Sequence, residues 1–189
     1  MSHADDLMRA AELFSPVGAG AGSKREWSVA QSMARRAVLT PGLPAAALPV
    51  ESFYKSFGAR RSGFAATAGH YRSDAARHLE LLYTSAGIGP LPREFAAMPD
   101  HLSLICEFVS LLLEAGNTEA ARQVAYDHLD WMEAYDERLN SVRADIQAEV
   151  AQTGAAEGTL SHELLIEGID ELLDAARGVR RVREELMAS

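Results

Sequence analysis

Two acid–histidine pairs are the residues of this sequence best suited to chemistry. One pair, Asp100-His101, follows Pro99 at the start of the apolar stretch "HLSLICEFVSLLLE", and the second pair is Asp127-His128. A carboxylate next to an imidazole can bind a divalent metal, transfer a proton, or form hydrogen bonds to a cationic ligand. These uses require different neighbouring residues, so the neighbours decide among them.

The neighbouring residues give little support for a metal site or for three common classes of enzyme. The zinc motif H-E-x-x-H is absent, and no two histidines are spaced three or four residues apart. There is no G-x-S-x-G elbow, no P-loop and no G-x-G-x-x-G after a strand, so serine hydrolases, P-loop NTPases and dinucleotide-binding enzymes are not indicated. An all-helical hydrolase that uses Asp100, His101 and His128 with a divalent metal is the alternative to a binding protein.

His101 is predicted to be neutral and at least partly enclosed. The positive end of a helix dipole disfavours a protonated imidazole, and Leu104, Ile105 and Phe108 follow on the same side. A neutral imidazole in such a place needs a hydrogen-bond partner, either an internal carbonyl or carboxylate or a group on a bound ligand. Asp100 alone can be explained as a first-turn acid that accepts from free backbone N–H groups.

The elements that must position these residues are predicted to be helices. The chain is rich in Ala, Leu, Glu and Arg and poor in β-branched residues, so we expect an all-α fold, with residues 1–189 forming a single multi-helical bundle domain. Apolar spacing and end signals predict helices over residues 7–14, 24–39, 51–57, 74–86, 99–115, 119–150 and 160–186. The helix over 119–150 is expected to be the longest. Three prolines between residues 40 and 50 predict an extended connector.

The helix predicted over 99–115 is apolar except for one stripe of polar residues. The stripe consists of Asp100, Ser103, Glu107, Ser110 and Glu114. The side chains predicted to be buried are Leu104, Ile105, Phe108, Leu111 and Leu112. A helix that is buried on all but one stripe is expected at the centre of a bundle, with its stripe facing solvent or lining a groove.

The charge and the cysteine content limit the partners and the compartment. With 18 Lys and Arg against 27 Asp and Glu the formal charge is −9, which repels phosphate backbones and anionic lipid, so nucleic acid is not an expected partner. The single cysteine, Cys106, is expected to be a buried apolar side chain, as is common in a reducing cytoplasm. No segment is predicted to insert stably into a membrane, and no secretory signal is recognised, so we expect a cytoplasmic protein.

Several segments in order resemble the TorD/DmsD/NarJ family of redox-enzyme maturation chaperones. They are "ESFYKS", "GHYRSDAARHLELLYTSAGI", "MPDHLSLICEFVSLLLEAG" and "DHLDWMEAYDERL", and the resemblance covers about residues 48–139. Members of this family are all-helical, non-enzymatic and cytoplasmic. They bind the twin-arginine signal peptide of a molybdenum-containing reductase, often of the dimethyl sulfoxide or trimethylamine N-oxide reductase class, and hold back the apo-enzyme until its cofactor is inserted. The resemblance therefore implies a TorD-like chaperone without a cofactor of its own.

The same resemblance implies a set of peptide-binding residues. The family's motif falls on Glu51, Tyr54, Phe57, Pro99, Asp100 and His101. A signal peptide offers two adjacent guanidinium groups followed by an apolar run, and Asp100 with Glu107 on one stripe beside apolar residues matches both features. We expect either a monomer or a homodimer that exchanges helices. A helical adaptor whose apolar stripe is a dimer interface is a third hypothesis, which failure to bind any signal peptide would favour.

Overall fold

The computed structural model describes residues 2–17, 26–55, 73–153 and 159–189, which are largely helical and contain no β-strand. The first half of the chain forms α1 (His3–Phe14), α2 (Val29–Val38), α3 (Glu51–Tyr54), α4 (Asp74–Ser85) and a short 3-10 helix (Arg93–Phe95). The second half forms α5 (Leu102–Glu114), α6 (Thr118–His128), α7 (Met132–Thr153) and α8 (Thr159–Ala188). The predicted all-α fold class is confirmed.

Side chains at the helix ends explain where several helices begin and end. The Ser73 hydroxyl accepts from the first turn of α4, and the Asn117 side chain accepts from the first turn of α6. Gly87 and Gly116 follow α4 and α5 with φ near +74°, a left-handed conformation that favours glycine. Ser28 caps α2, which therefore begins at Val29 and not at the predicted residue 24, a position that lies outside the described residues.

α5 begins at Leu102, three residues later than the predicted start at Pro99. His101 is extended and forms an isolated antiparallel bridge with Val50, whereas Pro99 and Asp100 lie in a turn that the His101 N–H closes by donating to the Met98 carbonyl at 3.1 Å. Two backbone hydrogen bonds flank the bridge, from Leu102 N–H to the Pro49 carbonyl (2.8 Å) and from Glu51 N–H to the Asp100 carbonyl (3.1 Å). Asp100 is therefore not a first-turn residue. Local sequence patterns could not indicate this, because the pairing partner lies about fifty positions earlier.

The helix predicted over 119–150 is two helices, with a break at residues 129–131. At the end of α6, the Asp127 carbonyl accepts from Lys55 Nζ, and the His128 carbonyl accepts from the Trp131 indole N–H at 2.7 Å. These donors replace the amide N–H groups that a continuous helix would have supplied. His128 consequently lies at the end of a helix instead of in its middle. Among the residues that the structure describes, the longest helix is α8, with 30 residues.

The two serines of the polar stripe pack against α1 instead of lining a groove. The Ser103 hydroxyl donates to the Ala11 carbonyl at 2.6 Å, and the Ser110 hydroxyl donates to the Ala4 carbonyl at 3.2 Å. Both serines are buried, and each hydrogen bond satisfies a hydroxyl that burial would otherwise leave unpaired. The expectation that this whole stripe faces solvent or a groove was therefore wrong.

The burial of the apolar residues of α5 follows from the same packing. Leu104, Ile105 and Phe108 are buried as predicted, and so is Cys106. Leu111 was predicted to be buried but is 51 % exposed, because Ser110 faces α1 and the next residue lies about 100° further round the helix. Leu112 is half-buried and packs against the core.

α8 packs along α1, α2, α6 and α7 and so connects most of the core. The contact with α2 is close, because a methyl group at Gly168 would overlap the carbonyl of Ala30 and the side chain of Ala34. The largest fully buried side chains of α1, α4, α5, α7 and α8 include Leu7, Phe14, Leu79, Leu102, Ile105, Met132, Tyr135, Leu139 and Ile169. This core fixes the ends of α3, α4, α5 and α6, where the candidate site lies.

Candidate functional site

The candidate site forms where the starts of α3 and α5 meet the end of α6. The bridge between Val50 and His101 places Glu51 next to Asp100, although the two residues are far apart in the chain. Both carboxyl groups are fully buried. The structure thus brings together the segment that contains Glu51 and the segment Pro99-Asp100-His101, which the sequence analysis identified as two parts of one motif.

Asp100 is used inside the protein. Its Oδ2 accepts from the Ser52 backbone N–H at 2.8 Å and from the Ser52 hydroxyl, so it caps the start of α3. The hydroxyls of Ser52 and Ser73 are 2.6 Å apart; since Ser52 donates to Asp100, Ser73 donates to Ser52, which links α3 to α4. The other oxygen, Oδ1, is buried without a hydrogen bond among the described residues. The carboxylate therefore points inward, and Pro99 beside it is buried with its carbonyl accepting from the Tyr83 hydroxyl at 3.1 Å.

His101 caps α5 with its own ring. Its Nδ1 accepts from the Ser103 backbone N–H at 3.2 Å, and the ring of Phe95 packs against it edge-on, with centroids 5.3 Å apart. Burial lowers the pKa of His101 to about 3, so the imidazole is neutral at ordinary pH. Since Nδ1 accepts, the ring proton lies on Nε2. The prediction of a neutral, enclosed histidine agrees with this geometry, and the partner of Nδ1 is the backbone of its own helix.

The ring of His101 lines a small, mainly apolar pocket of about 210 Å³. Its other walls include Leu39, Leu48 and Met98, with the Glu94 side chain at one side. His101 is 3 % exposed, and its Nε2–H donor makes no hydrogen bond within the described residues. The pocket therefore combines an apolar lining with one unused donor, a combination suited to an apolar group that carries a carbonyl.

A chain of hydrogen bonds joins Glu51 to the surface through two histidines. Glu51 Oε2 lies 2.8 Å from His128 Nδ1, and His128 Nε2 lies 2.8 Å from His78 Nδ1. His128 donates to the carboxylate and therefore accepts from His78, whose ring is exposed. Burial raises the pKa of Glu51 and outweighs the opposing effect of His128, while burial followed by the proximity of His128 lowers the pKa of His78.

Sequence reasoning missed His78, because the three hydrogen-bonded residues Glu51, His128 and His78 come from α3, α6 and α4. Spacing rules detect residues that lie one turn apart on the same helix, and these three residues lie on different helices. The same hydrogen bonds affect the hydrolase hypothesis. Both ring nitrogens of His128 already have protein partners, so neither nitrogen is available to bind a metal in this arrangement. No group of three potential metal-ligating side chains is found in the described ranges.

A second pocket, of about 380 Å³, lies beside the break between α6 and α7. Its floor is the ring pair of Tyr54 and Trp131, stacked with centroids 5.3 Å apart and planes 12° from parallel. Its remaining lining is Lys55, Asp130, Glu133, Ala134 and Glu137. Lys55 Nζ lies 2.7 Å from Asp130 Oδ1 and 3.4 Å from Glu51 Oε1. The pocket was not predicted, because a continuous helix would not have placed Asp130 and Trp131 in this way.

The remaining predicted site residues are placed as follows. Glu107 is exposed on α5 and lies near Glu12 of α1; partial burial first, and then the charge of Glu12, raise its pKa. Phe57 lies outside the described residues. Tyr54 is half-buried in the floor of the second pocket. That Glu51, Tyr54, Phe57, Pro99, Asp100, His101 and Glu107 act in peptide binding stays a prediction.

Comparison with known proteins identifies the family. The family model described as "Nitrate reductase delta subunit" matches residues 30–145, which is more than half of the chain. No curated protein and no solved structure matched. Among the described residues, no helix has the length and apolar character needed to cross a membrane. The matched range contains nearly all of α2, α3 to α6 and most of α7. It includes the whole lining of the second pocket and, apart from Pro16 and Val17, the lining of the pocket beside His101. The chain belongs to the nitrate reductase delta subunit family, a family of chaperones for the maturation of molybdenum-containing redox enzymes.

Proposed function

We propose that this protein is a cytoplasmic, TorD-like chaperone that binds the twin-arginine signal peptide of a molybdenum-containing reductase. The client belongs to the dimethyl sulfoxide or trimethylamine N-oxide reductase class. The chaperone holds the apo-enzyme back from export until its cofactor is inserted, and it performs no catalysis of its own. It acts as a single helical domain, as a monomer or a helix-exchanged homodimer.

The observation that carries the proposal is the pocket beside His101, most of whose lining lies within the range that the family model matches. An extended or helical leader carries backbone carbonyls and apolar side chains, and the pocket offers an apolar lining with one free N–H donor. The Nε2–H of His101 donates to a peptide carbonyl while a side chain of the apolar run fills the pocket. The exposed Glu107 and the net charge of −9 favour the basic end of the leader.

Glu51, Pro99 and Asp100 have a supporting role in this proposal. Their buried groups fix the start of α3 against the start of α5 and so hold His101 in place. Tyr54 contacts the peptide from the second pocket, and Phe57 follows it in the chain. Replacing a supporting residue therefore reduces stability as well as peptide binding.

Calorimetric titration with a synthetic leader tests the proposal. The leader is taken from a molybdenum reductase encoded in the same genome, and its Arg-Arg pair is replaced by Gln-Gln in a matched peptide. We expect the native leader to bind, and the Gln-Gln leader to bind at least about tenfold more weakly, because charge-assisted hydrogen bonds are lost. Absence of binding by every such leader would rule out the proposed function.

A variant of His101 tests the site. Asn is also a favourable N-cap residue, so His101→Asn keeps an acceptor for the Ser103 N–H but removes the imidazole donor. Loss of one hydrogen bond is expected to weaken leader binding about five- to tenfold. His3→Asn is the matched control, since His3 is exposed and bonds Glu185 on α8. Equal leader affinity in the two variants would remove His101 from the binding site.

A further inference from the structure

The pocket floored by Tyr54 and Trp131 already holds a cation, the ammonium group of Lys55. Lys55 Nζ is paired with Asp130 Oδ1 at 2.7 Å and donates to the Asp127 carbonyl at the end of α6. The C-terminal end of a helix carries partial negative charge, which adds to that of the carboxylate. The end of α6 and the start of α7 therefore form a place where positive charge is stabilised.

A buried carboxylate oxygen next to this place lacks a hydrogen bond. Glu51 Oε1 is fully buried and has no hydrogen-bond partner in the described residues, although Lys55 Nζ lies 3.4 Å away. A buried acceptor that is left unpaired costs free energy, so a donor that reached it would be favoured. This oxygen lies behind the lining of the pocket, next to the ammonium group of Lys55, which is part of that lining.

The charges around the pocket exceed what Lys55 can neutralise. Glu133 and Glu137 are exposed at the rim, one turn apart on α7, and add to Asp130 and Glu51. The nearby Arg138 donates to the Ala46 carbonyl. Among the described residues, four carboxylates therefore face two cations, Lys55 and Arg138, and this excess of negative charge is one that a further cation would balance.

The aromatic floor favours a planar cation over a compact one. The stacked rings of Tyr54 and Trp131 border the pocket, and Trp131 is fixed by its bond to the His128 carbonyl. A guanidinium stacks on aromatic rings and pairs with a carboxylate through two parallel hydrogen bonds, whereas an ammonium is more strongly hydrated. A volume of about 380 Å³ corresponds to roughly a dozen water molecules, which is enough for an arginine side chain.

From these contacts we infer that this pocket is the subsite for an arginine side chain of a bound peptide, whose guanidinium replaces the Lys55 ammonium at Asp130. The inference rests on the proposed function and specifies where the arginine pair of the signal peptide binds. Lys55 acts as an internal competitor that keeps the carboxylates paired when no peptide is bound. The guanidinium stacks on the Tyr54–Trp131 floor and donates to Glu133 or Glu137 at the rim.

Paired charge variants test the inference. The double variant Glu133→Gln/Glu137→Gln removes two rim carboxylates, and the control Glu163→Gln/Glu167→Gln removes two exposed carboxylates from α8, so both proteins change by the same net charge. We expect the rim variant to bind an Arg-Arg leader about tenfold or more weakly, and the control to change affinity less than about twofold. Equal losses in the two variants would overturn the inference, because only long-range charge would then matter.

Removing the internal cation tests the competition. Lys55→Met should bind the Arg-Arg leader several-fold more tightly than the wild type does. The increase in affinity should be smaller for a Lys-Lys leader, since a guanidinium can pair with a freed carboxylate through two hydrogen bonds. Arg93→Met, which removes an exposed cation elsewhere, is the control. Weaker binding of the Arg-Arg leader by Lys55→Met would show that Lys55 is not displaced.

A small probe separates failure of this inference from failure of the proposed function. N-acetyl-arginine amide is titrated while the indole N–H signals of Trp27 and Trp131 are followed by NMR. The signal of Trp131 should shift in the wild type and not in Glu133→Gln/Glu137→Gln, whereas that of Trp27 should not move. If no leader binds but this response is seen, the pocket is an arginine site and the chaperone proposal fails. If leaders bind but Trp131 does not respond, the arginine subsite lies elsewhere.

Discussion

His101 couples the start of α5 to the proton concentration, because its Nδ1 must stay unprotonated to accept the Ser103 N–H. Its pKa is about 3 in the folded protein and about 6.5 in an unfolded chain. Between these values the unfolded chain binds a proton that the folded protein does not bind. The stability contributed by the neutral ring is therefore complete above pH 6.5 and is lost as the pH falls towards 3.

The first prediction concerns this pH dependence. On going from pH 7.5 to pH 5.0, His101 should contribute a loss of about 2 kcal/mol in the free energy of unfolding. His101→Asn should lack that part of the loss, while groups such as Glu51, whose raised pKa acts in the opposite direction, are common to both proteins. Urea unfolding at the two pH values measures the difference. An identical pH dependence in His101→Asn and the wild type would contradict the assignment.

The chemistry of single residues was predictable where it depends on neighbours in the chain, and not where it depends on contacts between helices. An apolar run after Pro99-Asp100-His101 was sufficient to predict a neutral, enclosed His101. The inward orientation of Asp100 was not, because its partner is the start of α3. The bond from His78 to His128 likewise depends on how α4 packs against α6.

The contact between α2 and α8 gives a prediction at the level of helices. Gly168→Ala should destabilise the protein by about 1–3 kcal/mol, because the added methyl group overlaps the Ala30 carbonyl and the two helices must separate. Gly178→Ala on the same helix is the control. A methyl group there meets only an Arg181 side-chain nitrogen at 3.7 Å, so the better helix former should raise stability by about 0.5–1 kcal/mol. Thermal unfolding of both variants measures the effect, and equal shifts would contradict the close packing.

Helices were predicted well where their ends are set by local residues. α4 and α8 were predicted to within two residues at each end, and α4 begins at the serine cap that the sequence indicates. α1 was predicted to begin at residue 7 but begins at His3, because Ser2 caps it. The break between α6 and α7 contains neither Gly nor Pro, and the Lys55 ammonium that helps to satisfy the end of α6 comes from a residue more than seventy positions earlier. Apolar periodicity alone could not locate this break between α6 and α7. The proposed arginine subsite depends on the break, because the break positions Asp130 and Trp131.

For the whole molecule, the net charge of −9 predicts a salt-dependent affinity for the basic leader. Raising sodium chloride from about 50 mM to about 500 mM shortens the screening length from roughly 14 Å to roughly 4 Å. We expect the Arg-Arg leader to bind about five- to tenfold more weakly at the higher concentration, and the Gln-Gln leader to change little. Calorimetry at both concentrations measures this, and parallel changes for the two leaders would contradict an electrostatic contribution.

The packing of α1 against both α5 and α8 has a consequence for synthesis on the ribosome. Thr159, where α8 begins, is translated 145 positions after Phe14, where α1 ends. At a translation rate of about 5–20 residues per second, roughly 7–30 s pass between the synthesis of α1 and the start of the synthesis of α8. Leu7 and Phe14, both fully buried in the finished fold, are exposed or only partly covered by α5 during that time. A protein proposed to assist the maturation of another thus passes through a stage at which its own nascent chain presents an apolar helix to ribosome-associated chaperones.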